Sequence, residues 1–209
     1  PVQFFIPSST CVNPVMKSYL PTIFTEEHIP SLMTSYLSLE LRLNLLILMI
    51  PQNFADAITP KTKLLFCETV SNPGLDIADI ESISRIAHEH GLPLMVDSTF
   101  TTPYLQRPID HGADIVIHSL TKWLGGHGAA IGGIVVDSGK FDWQSDKFPL
   151  LNEPESSYHG IRWAHDLGPL SPIAFILRMR VVPLRNLGAC TTPDNLSLIH
   201  ISEPTRHRR

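Results

Sequence analysis

The chain has 209 residues, of which 43% are hydrophobic and 17% charged, and its formal net charge is −4. This composition supports one globular domain with a sizeable core, and the acidic balance gives no electrostatic reason to bind nucleic acid. The apolar stretch at 37–50 contains Glu40 and Arg42. It is also shorter than the ~20 apolar residues that cross a bilayer, so we predict no membrane helix.

The cysteines and histidines follow no metal-binding pattern. The three cysteines, Cys11, Cys67 and Cys190, match neither a zinc nor a disulfide spacing. His88 and His90 flank a single glutamate, which is not the spacing of a zinc-binding helix. We therefore predict no metal centre and a reduced, cytoplasmic protein.

Three zones differ along the chain. Residues 1–50 show no clean hydrophobic period and contain no glycine, so no sheet edge can be predicted in them. Residues 51–195 alternate strand-like and helix-like segments, and residues 196–209 form a polar, basic tail. The middle zone is therefore the predicted folded domain.

Within the middle zone, strands and helices can be placed in chain order. Isoleucines recur at helical spacing from Asp76, a predicted N-cap, to about His90, and Gly91 occupies the position that commonly follows a helix end. Four short apolar runs predict buried strands: 63–68 (KLLFCE), 93–97 (PLMVD), 114–118 (DIVIH) and 131–136 (IGGIVV).

Near-continuous apolar strands separated by helices predict an α/β fold with a mostly parallel sheet and helices on both faces. Ligands of such sheets bind beyond the carboxyl ends of the strands. Asp97 and Ser119 both follow predicted strands at that edge. We expect the functional site there.

The residues at this edge suit pyridoxal 5'-phosphate (PLP). Lys122 lies in a Ser119-Leu120-Thr121-Lys122 run, ahead of a Gly-Gly-His-Gly turn and behind the strand-end carboxylate Asp97. The cofactor needs an amine for its aldehyde, small donors for its phosphate and an anion for its ring nitrogen. Each residue also has an ordinary alternative: Asp97 as a cap, Lys122 as a surface lysine, and the two hydroxyls as turn residues.

The middle zone resembles the cysteine/methionine-metabolism family of PLP-dependent enzymes, and within it the O-acetylhomoserine sulfhydrylases. The resemblance covers residues 51–195. It rests on ETVSNPGLDIADI at 68–80, VDSTFTTPYLQRPIDHGADIVIHSLTKWLGGHG at 96–128, SGKFDW at 138–143 and SYHG at 157–160.

The resemblance implies the large domain of a type I PLP-dependent transferase. It also implies a role for each site residue. These are Lys122 as the Schiff-base lysine, Asp97 as the partner of the ring nitrogen, Ser119 and Thr121 as phosphate ligands, Asn72 near the cofactor's 3'-oxygen, and Thr99 beside the ring.

The implied reaction is a γ-replacement in which sulfide or a small thiol displaces acetate from O-acetylhomoserine, giving homocysteine or methionine. Alternatives are a cystathionine γ-synthase or a cystathionine or methionine γ-lyase of the same family, and a non-catalytic fragment that keeps the sheet for packing alone. The implied partners are small molecules, with no nucleic acid and no membrane. The family further implies a cytoplasmic homotetramer, or at least a homodimer.

Both ends of the chain depart from the family pattern. Residues from about Ile6 to Ile50 match it only when codons are shifted by a constant offset, which predicts an out-of-frame segment with no defined fold. The tail at 196–209 (LSLIHISEPTR at its start) resembles a translated sequencing adapter, which predicts disorder. We expect a large domain truncated at both ends that binds PLP poorly and catalyses little by itself.

Overall fold

The computed structural model describes residues 2–6, 22–25 and 50–206. In this part of the chain a six-stranded sheet has the spatial order β1-β6-β5-β4-β3-β2. Its strands are β1 (Val2–Ile6), β2 (Thr22–Thr25), β3 (Thr62–Glu68), β4 (Leu94–Asp97), β5 (Ile115–Ser119) and β6 (Gly133–Asp137).

Helices connect and cover the strands. The α-helices are α1 (Pro51–Ala57), α2 (Ile80–Glu89), α3 (Thr102–Leu105), α4 (Pro149–Asn152), α5 (Ala174–Met179), α6 (Arg185–Leu187) and α7 (Pro193–Arg206). Short 3-10 turns cover Pro108–His111, Ser156–Tyr158 and Gly168–Ile173, and π-helical turns cover Leu120–Leu124 and Arg180–Leu184. No described helix is long and apolar enough to cross a membrane.

The centre of the sheet is parallel, as predicted. β3 pairs with β4, and β4 with β5, in the same direction, and the connections carry α2 and α3. β6 instead runs antiparallel to β5, because the turn that starts at Leu120 provides no crossover helix and returns the chain in the opposite direction. The edge strands β1 and β2 are also antiparallel to their neighbours.

The sheet is covered on both faces. Leu94 and Val96 of β4 point into a core formed with α1 and α2, where Phe54 and Ile83 are fully buried. Ile115 of β5 and Val135 of β6 point to the other face, where they pack with aromatic and aliphatic side chains that include Trp143, Trp163 and Ile176. The alternation of side chains along each strand therefore supplies two cores.

Helix α2 begins later than the sequence predicts. Its N-cap is Asp79, whose Oδ1 accepts a hydrogen bond from Ser82 N at 3.1 Å. Asp76 instead closes the preceding turn, where its backbone N donates to Ser71 Oγ at 2.9 Å. The predicted helix end is confirmed, since Gly91 adopts a φ of 61° that favours glycine.

The described parts of both ends contain secondary structure that the sequence did not predict. Residues 2–6 and 22–25 form edge strands within a segment expected to supply no sheet edge, and the rest of residues 1–49 lies outside the described part. The tail, expected to be disordered, is helical to Arg206, and Ile199 packs against Leu120 and Ala130. The helix forms because Thr192 caps it: its hydroxyl accepts from Asn195 N at 3.3 Å.

Asp137 ends β6 as a buried carboxyl, only 1% exposed. Its Oδ1 accepts from Gly139 N at 2.8 Å, whereas its Oδ2 has no hydrogen-bond partner among the described residues. Burial raises the pKa of Asp137 from 3.8 to about 6. The ionised form is therefore less favourable in the folded protein than in the unfolded chain.

We expect Asp137 to make the folded protein less stable as pH rises. A carboxyl whose folded pKa is raised favours folding fully below pH ~4, and this contribution is lost as pH rises through about 6. At pH 7 the cost is at most about 3 kcal/mol. Asp137→Asn, whose amide oxygen can still accept from Gly139 N, removes this cost. Urea unfolding at pH 4 and pH 7 measures it, with exposed Asp146→Asn as the control. Equal pH dependence in Asp137→Asn and the parent chain would contradict the assignment.

Candidate functional site

The candidate site lies where three parallel strands end. Glu68, Asp97 and Ser119 are the last residues of β3, β4 and β5. Glu68 is in register with Asp97, and Asp97 with Ile117, so the three ends lie side by side at one edge. The edge thus gathers residues that are far apart in sequence, as the fold class predicts.

Two side-chain hydrogen bonds connect the ends of β4 and β5. The carboxylate of Asp97 accepts a hydrogen bond from Thr99 N at 2.8 Å through Oδ1. The hydroxyl of Thr99 in turn accepts one from Ser119 N, also at 2.8 Å. The structure therefore brings Asp97, Thr99 and Ser119 into a continuous bonded chain.

Lys122 lies in the π-helical turn that follows β5 and is exposed. Its backbone leaves helical geometry (φ −91°, ψ −117°), while Gly125 N donates to Leu120 O at 2.9 Å and Gly126 N donates to Lys122 O at 2.8 Å. No hydrogen bond or ion pair involves the Lys122 amine or the Ser119 hydroxyl within the described part of the chain. Both groups are accordingly available to a ligand.

Thr121 has a structural contact that the sequence did not predict. Its hydroxyl accepts from Gly132 N at 3.1 Å and donates to Gly132 O at 3.4 Å. Leu120 N also donates to Gly132 O, at 3.0 Å. The Lys122 turn is thereby tied to the start of β6, and a role of Thr121 toward a phosphate stays a prediction.

Asn72 lies apart from this bonded chain. It is exposed in the loop after β3, and its backbone N donates to Glu68 Oε2 at 3.1 Å. Because Glu68 is in register with Asp97, Asn72 belongs to the same edge of the sheet. No described contact joins Asn72 to Ser119 or Lys122.

A chain of buried hydroxyls beneath the edge was missed by the sequence analysis. Thr101 Oγ1 donates to Thr69 Oγ1 at 3.0 Å and lies 2.8 Å from Ser98 Oγ, and all three residues are buried. Thr69 Oγ1 also donates weakly to Asp97 O at 3.4 Å. The run of small hydroxyl residues after Asp97 was the available signal. These hydroxyls stabilise the loop that carries Thr99.

Burial shifts the pKa of two titratable groups near the edge in the direction that favours their neutral forms. Burial lowers the pKa of His118, against the opposing effects of its hydrogen bond to Ser98 O (2.9 Å) and the charge of Asp97. Burial, with the charges of Glu68 and Asp97, raises the pKa of the Cys67 thiol to about 12. The thiolate of Cys67 is therefore strongly disfavoured, which makes Cys67 a poor nucleophile, and a reactive role for Lys122 stays a prediction.

Exposed apolar side chains border the site. The rings of Phe100 and Trp123 lie with centroids 5.6 Å apart and join the loop after β4 to the Lys122 turn. Both are exposed, as are Tyr104 and Leu105 nearby in sequence. We call the three aromatic residues Phe100, Tyr104 and Trp123 the aromatic rim.

The available groups fit a ligand with an aldehyde, a phosphate and a basic ring nitrogen. Lys122 provides an amine, Ser119 a hydroxyl donor, and Asp97 a carboxylate with one oxygen engaged by Thr99 N. Among the described residues, no cluster of three histidine, cysteine or acidic side chains is arranged to hold a metal ion. The donor set is thus the one expected for PLP.

Comparison with known proteins also indicates a PLP-dependent enzyme family. A model of the Cys/Met metabolism PLP-dependent enzyme family matches residues 31–200, a range that begins before the predicted domain boundary at residue 50. The O-acetyl-L-homoserine sulfhydrylase of Leptospira meyeri is 49% identical over 150 residues, which are 69% of this chain and 34% of that protein. The chain therefore spans about a third of the length of the curated relatives it matches.

Solved structures are similar to about three quarters of the chain. A Campylobacter jejuni protein named as an O-acetylhomoserine (thiol)-lyase has a TM-score of 0.63 and 36% identity, covering 71% of this chain and 36% of that one. That structure contains a lysine carrying pyridoxyl phosphate. The O-acetylhomoserine sulfhydrylase of Wolinella succinogenes has a TM-score of 0.61 and 33% identity, covering 77% of this chain and 42% of that one.

Proposed function

Because the chain belongs to the Cys/Met metabolism family of PLP-dependent enzymes, we propose that this protein is an O-acetylhomoserine sulfhydrylase. It would replace the acetate of O-acetylhomoserine with sulfide or a small thiol, giving homocysteine or methionine. The observation that carries the proposal is the unengaged amine of Lys122, on the turn that follows Ser119, whose backbone N is bonded to Thr99 and through it to Asp97. The names of the relatives support the choice of substrate.

The proposed site assigns a binding role to each edge residue. Bound PLP supplies an electron-accepting ring that stabilises negative charge next to the substrate amine. Asp97 keeps the proton on the ring nitrogen through its carboxylate, and Ser119 donates its hydroxyl to the phosphate. Thr121 is proposed as a second phosphate ligand, Asn72 as a neighbour of the 3'-oxygen, and Thr99 as a residue beside the ring.

Lys122 is the proposed catalytic residue. Its Nζ would hold the cofactor when no substrate is bound. With substrate in place, Nζ would accept the proton from the substrate Cα and pass it on to the cofactor before it accepts the proton from Cβ, as acetate leaves from Cγ. After the sulfur nucleophile has added to Cγ, Nζ would return protons to Cβ and Cα. The exposed position of Lys122, on a turn tied to Gly132, gives its long side chain room for these transfers.

We also propose that the complete enzyme is a homo-oligomer, at least a dimer, and that it is cytoplasmic. The aromatic rim supports the oligomer, because large exposed apolar groups beside a site are typical of interfaces. The relatives are metabolic enzymes that act on small molecules, which supports a small-molecule substrate.

Chemical trapping of PLP tests the assignment of Lys122. The 209-residue chain is incubated with excess PLP, reduced with borohydride, and mapped by peptide mass spectrometry. We expect low total incorporation, concentrated on Lys122, because its turn follows Ser119, which is bonded through Thr99 to Asp97. Lys122→Ala should remove most of the adduct and Lys140→Ala should not. An even distribution over the lysines, or full incorporation into Lys122→Ala, would overturn the assignment.

A turnover assay tests the reaction. A protein of the relatives' full length that contains residues 51–195 is supplied with O-acetylhomoserine and sulfide, and in parallel with cystathionine or methionine. We expect homocysteine from the first pair to be the main product, and Lys122→Ala to reduce kcat at least about 100-fold. Faster turnover when cysteine replaces sulfide would indicate a γ-synthase, and preferred turnover of cystathionine or methionine would indicate a γ-lyase. No turnover of any substrate would indicate a non-catalytic protein.

A further inference from the structure

We infer that Thr99 is a positioning residue that fixes the Lys122 turn relative to the carboxylate of Asp97. The inference rests on the proposed function, because it concerns the geometry of the same site. It assigns the Thr99 hydroxyl to Ser119 N, and so to the protein itself. Thr99 can still lie beside the ring, but its effect on the reaction then passes through Ser119.

The backbone pairing of β4 with β5 stops just before Thr99. Strand β4 ends at Asp97, and the last backbone hydrogen bond between the β4 and β5 segments runs from Ser98 N to Ile117 O at 2.9 Å. Beyond this bond, the segment after β4 enters the loop toward α3, and the segment after β5 enters the π-helical turn. The 2.8 Å bond from Ser119 N to Thr99 Oγ1 extends the pairing by one side-chain contact past that point.

The backbone N of Ser119 needs the Thr99 hydroxyl as its acceptor. Ser119 is 8% exposed, so its amide has little access to water, and a buried amide without an acceptor is costly. On its other side Ser119 is opposite Gly133 of β6, and Leu120 N is bonded to Gly132 O. Thr99 therefore completes the support of Ser119 from the β4 side.

Thr99 also connects Ser119 to the carboxylate of Asp97. Asp97 Oδ1 accepts from Thr99 N, which fixes the backbone of Thr99 and leaves Oδ2 as the carboxylate oxygen without a described partner. One short bonded path thus runs from the carboxylate, through Thr99, to the residue that starts the Lys122 turn. Since small displacements of reacting groups reduce rates strongly, a fixed path of this kind is a positioning device.

The test compares Thr99→Val, which keeps the shape but loses the hydroxyl, with Thr99→Ser, which keeps the acceptor. The matched control is Thr191→Val, because the Thr191 hydroxyl is buried and has no described hydrogen-bond partner. Hydrogen exchange of backbone amides by NMR is the first measurement and needs no cofactor. We expect Ser119 N to exchange at least tenfold faster in Thr99→Val, and at the parental rate in Thr99→Ser and Thr191→Val. Leu120 N serves as the internal reference.

The second measurement is the share of trapped PLP found on Lys122. We expect this share to fall at least threefold in Thr99→Val and to return in Thr99→Ser. If Thr99→Val does not fold, Thr99→Ala removes the same acceptor with a smaller side chain. Unchanged Ser119 exchange in the folded variant would overturn the inference while leaving the proposed function intact. Thr99-dependent Ser119 exchange without any preference for Lys122 in the parent chain would instead overturn the proposed function.

Discussion

The parallel pairing of β3, β4 and β5 is the constraint on which the rest of the molecule depends. It brings Glu68, Asp97 and Ser119 to one edge. In sequence, Asp97 lies 29 positions after Glu68, and Ser119 lies 22 positions after Asp97. The backbone ladder holds these ends only as far as Ser98. Past that point the geometry depends on side chains, because two diverging loops leave amides that need acceptors. The hydroxyl of Thr99 supplies one of them, and the buried hydroxyls of Thr69, Thr101 and Ser98 hold the loop that carries it.

The two edges of the sheet serve different purposes. At the carboxyl edge, polar groups remain available: the Lys122 amine, the Ser119 hydroxyl and one oxygen of Asp97. At the opposite edge, the buried carboxyl of Asp114 is engaged in hydrogen bonds within the protein. There Asp114 accepts from Leu94 N and from His88 Nε2, each at 2.8 Å, although burial still raises its pKa. The groups available to a ligand and the buried carboxyl of Asp114 therefore lie at opposite ends of the strands.

Local sequence patterns were sufficient to predict the elements whose formation depends on neighbouring residues. Apolar runs predicted the buried strands and the isoleucine spacing predicted α2, whereas the site predicted from the lysine and its flanking hydroxyls stays a prediction. The cap of α2 was misplaced, because Asp76 and Asp79 are equally good caps in sequence and only the turn closed by Ser71 distinguishes them. The antiparallel β6, the edge strands and the bond of Thr99 to Ser119 depend on contacts between distant residues. No local pattern contains that information, and the same holds for the tail helix, where packing of Ile199 adds to a single cap.

We propose that Asp97 and Ser119 act on one ligand from neighbouring strand ends. The equilibrium dissociation constant for PLP tests this most directly, measured by absorbance for the parent chain, Asp97→Asn and Ser119→Ala, with Asp146→Asn as the control. Each site variant removes a hydrogen bond to a charged group, so we expect binding at least about tenfold weaker in both and unchanged in the control. Equal dissociation constants in all four proteins would contradict it.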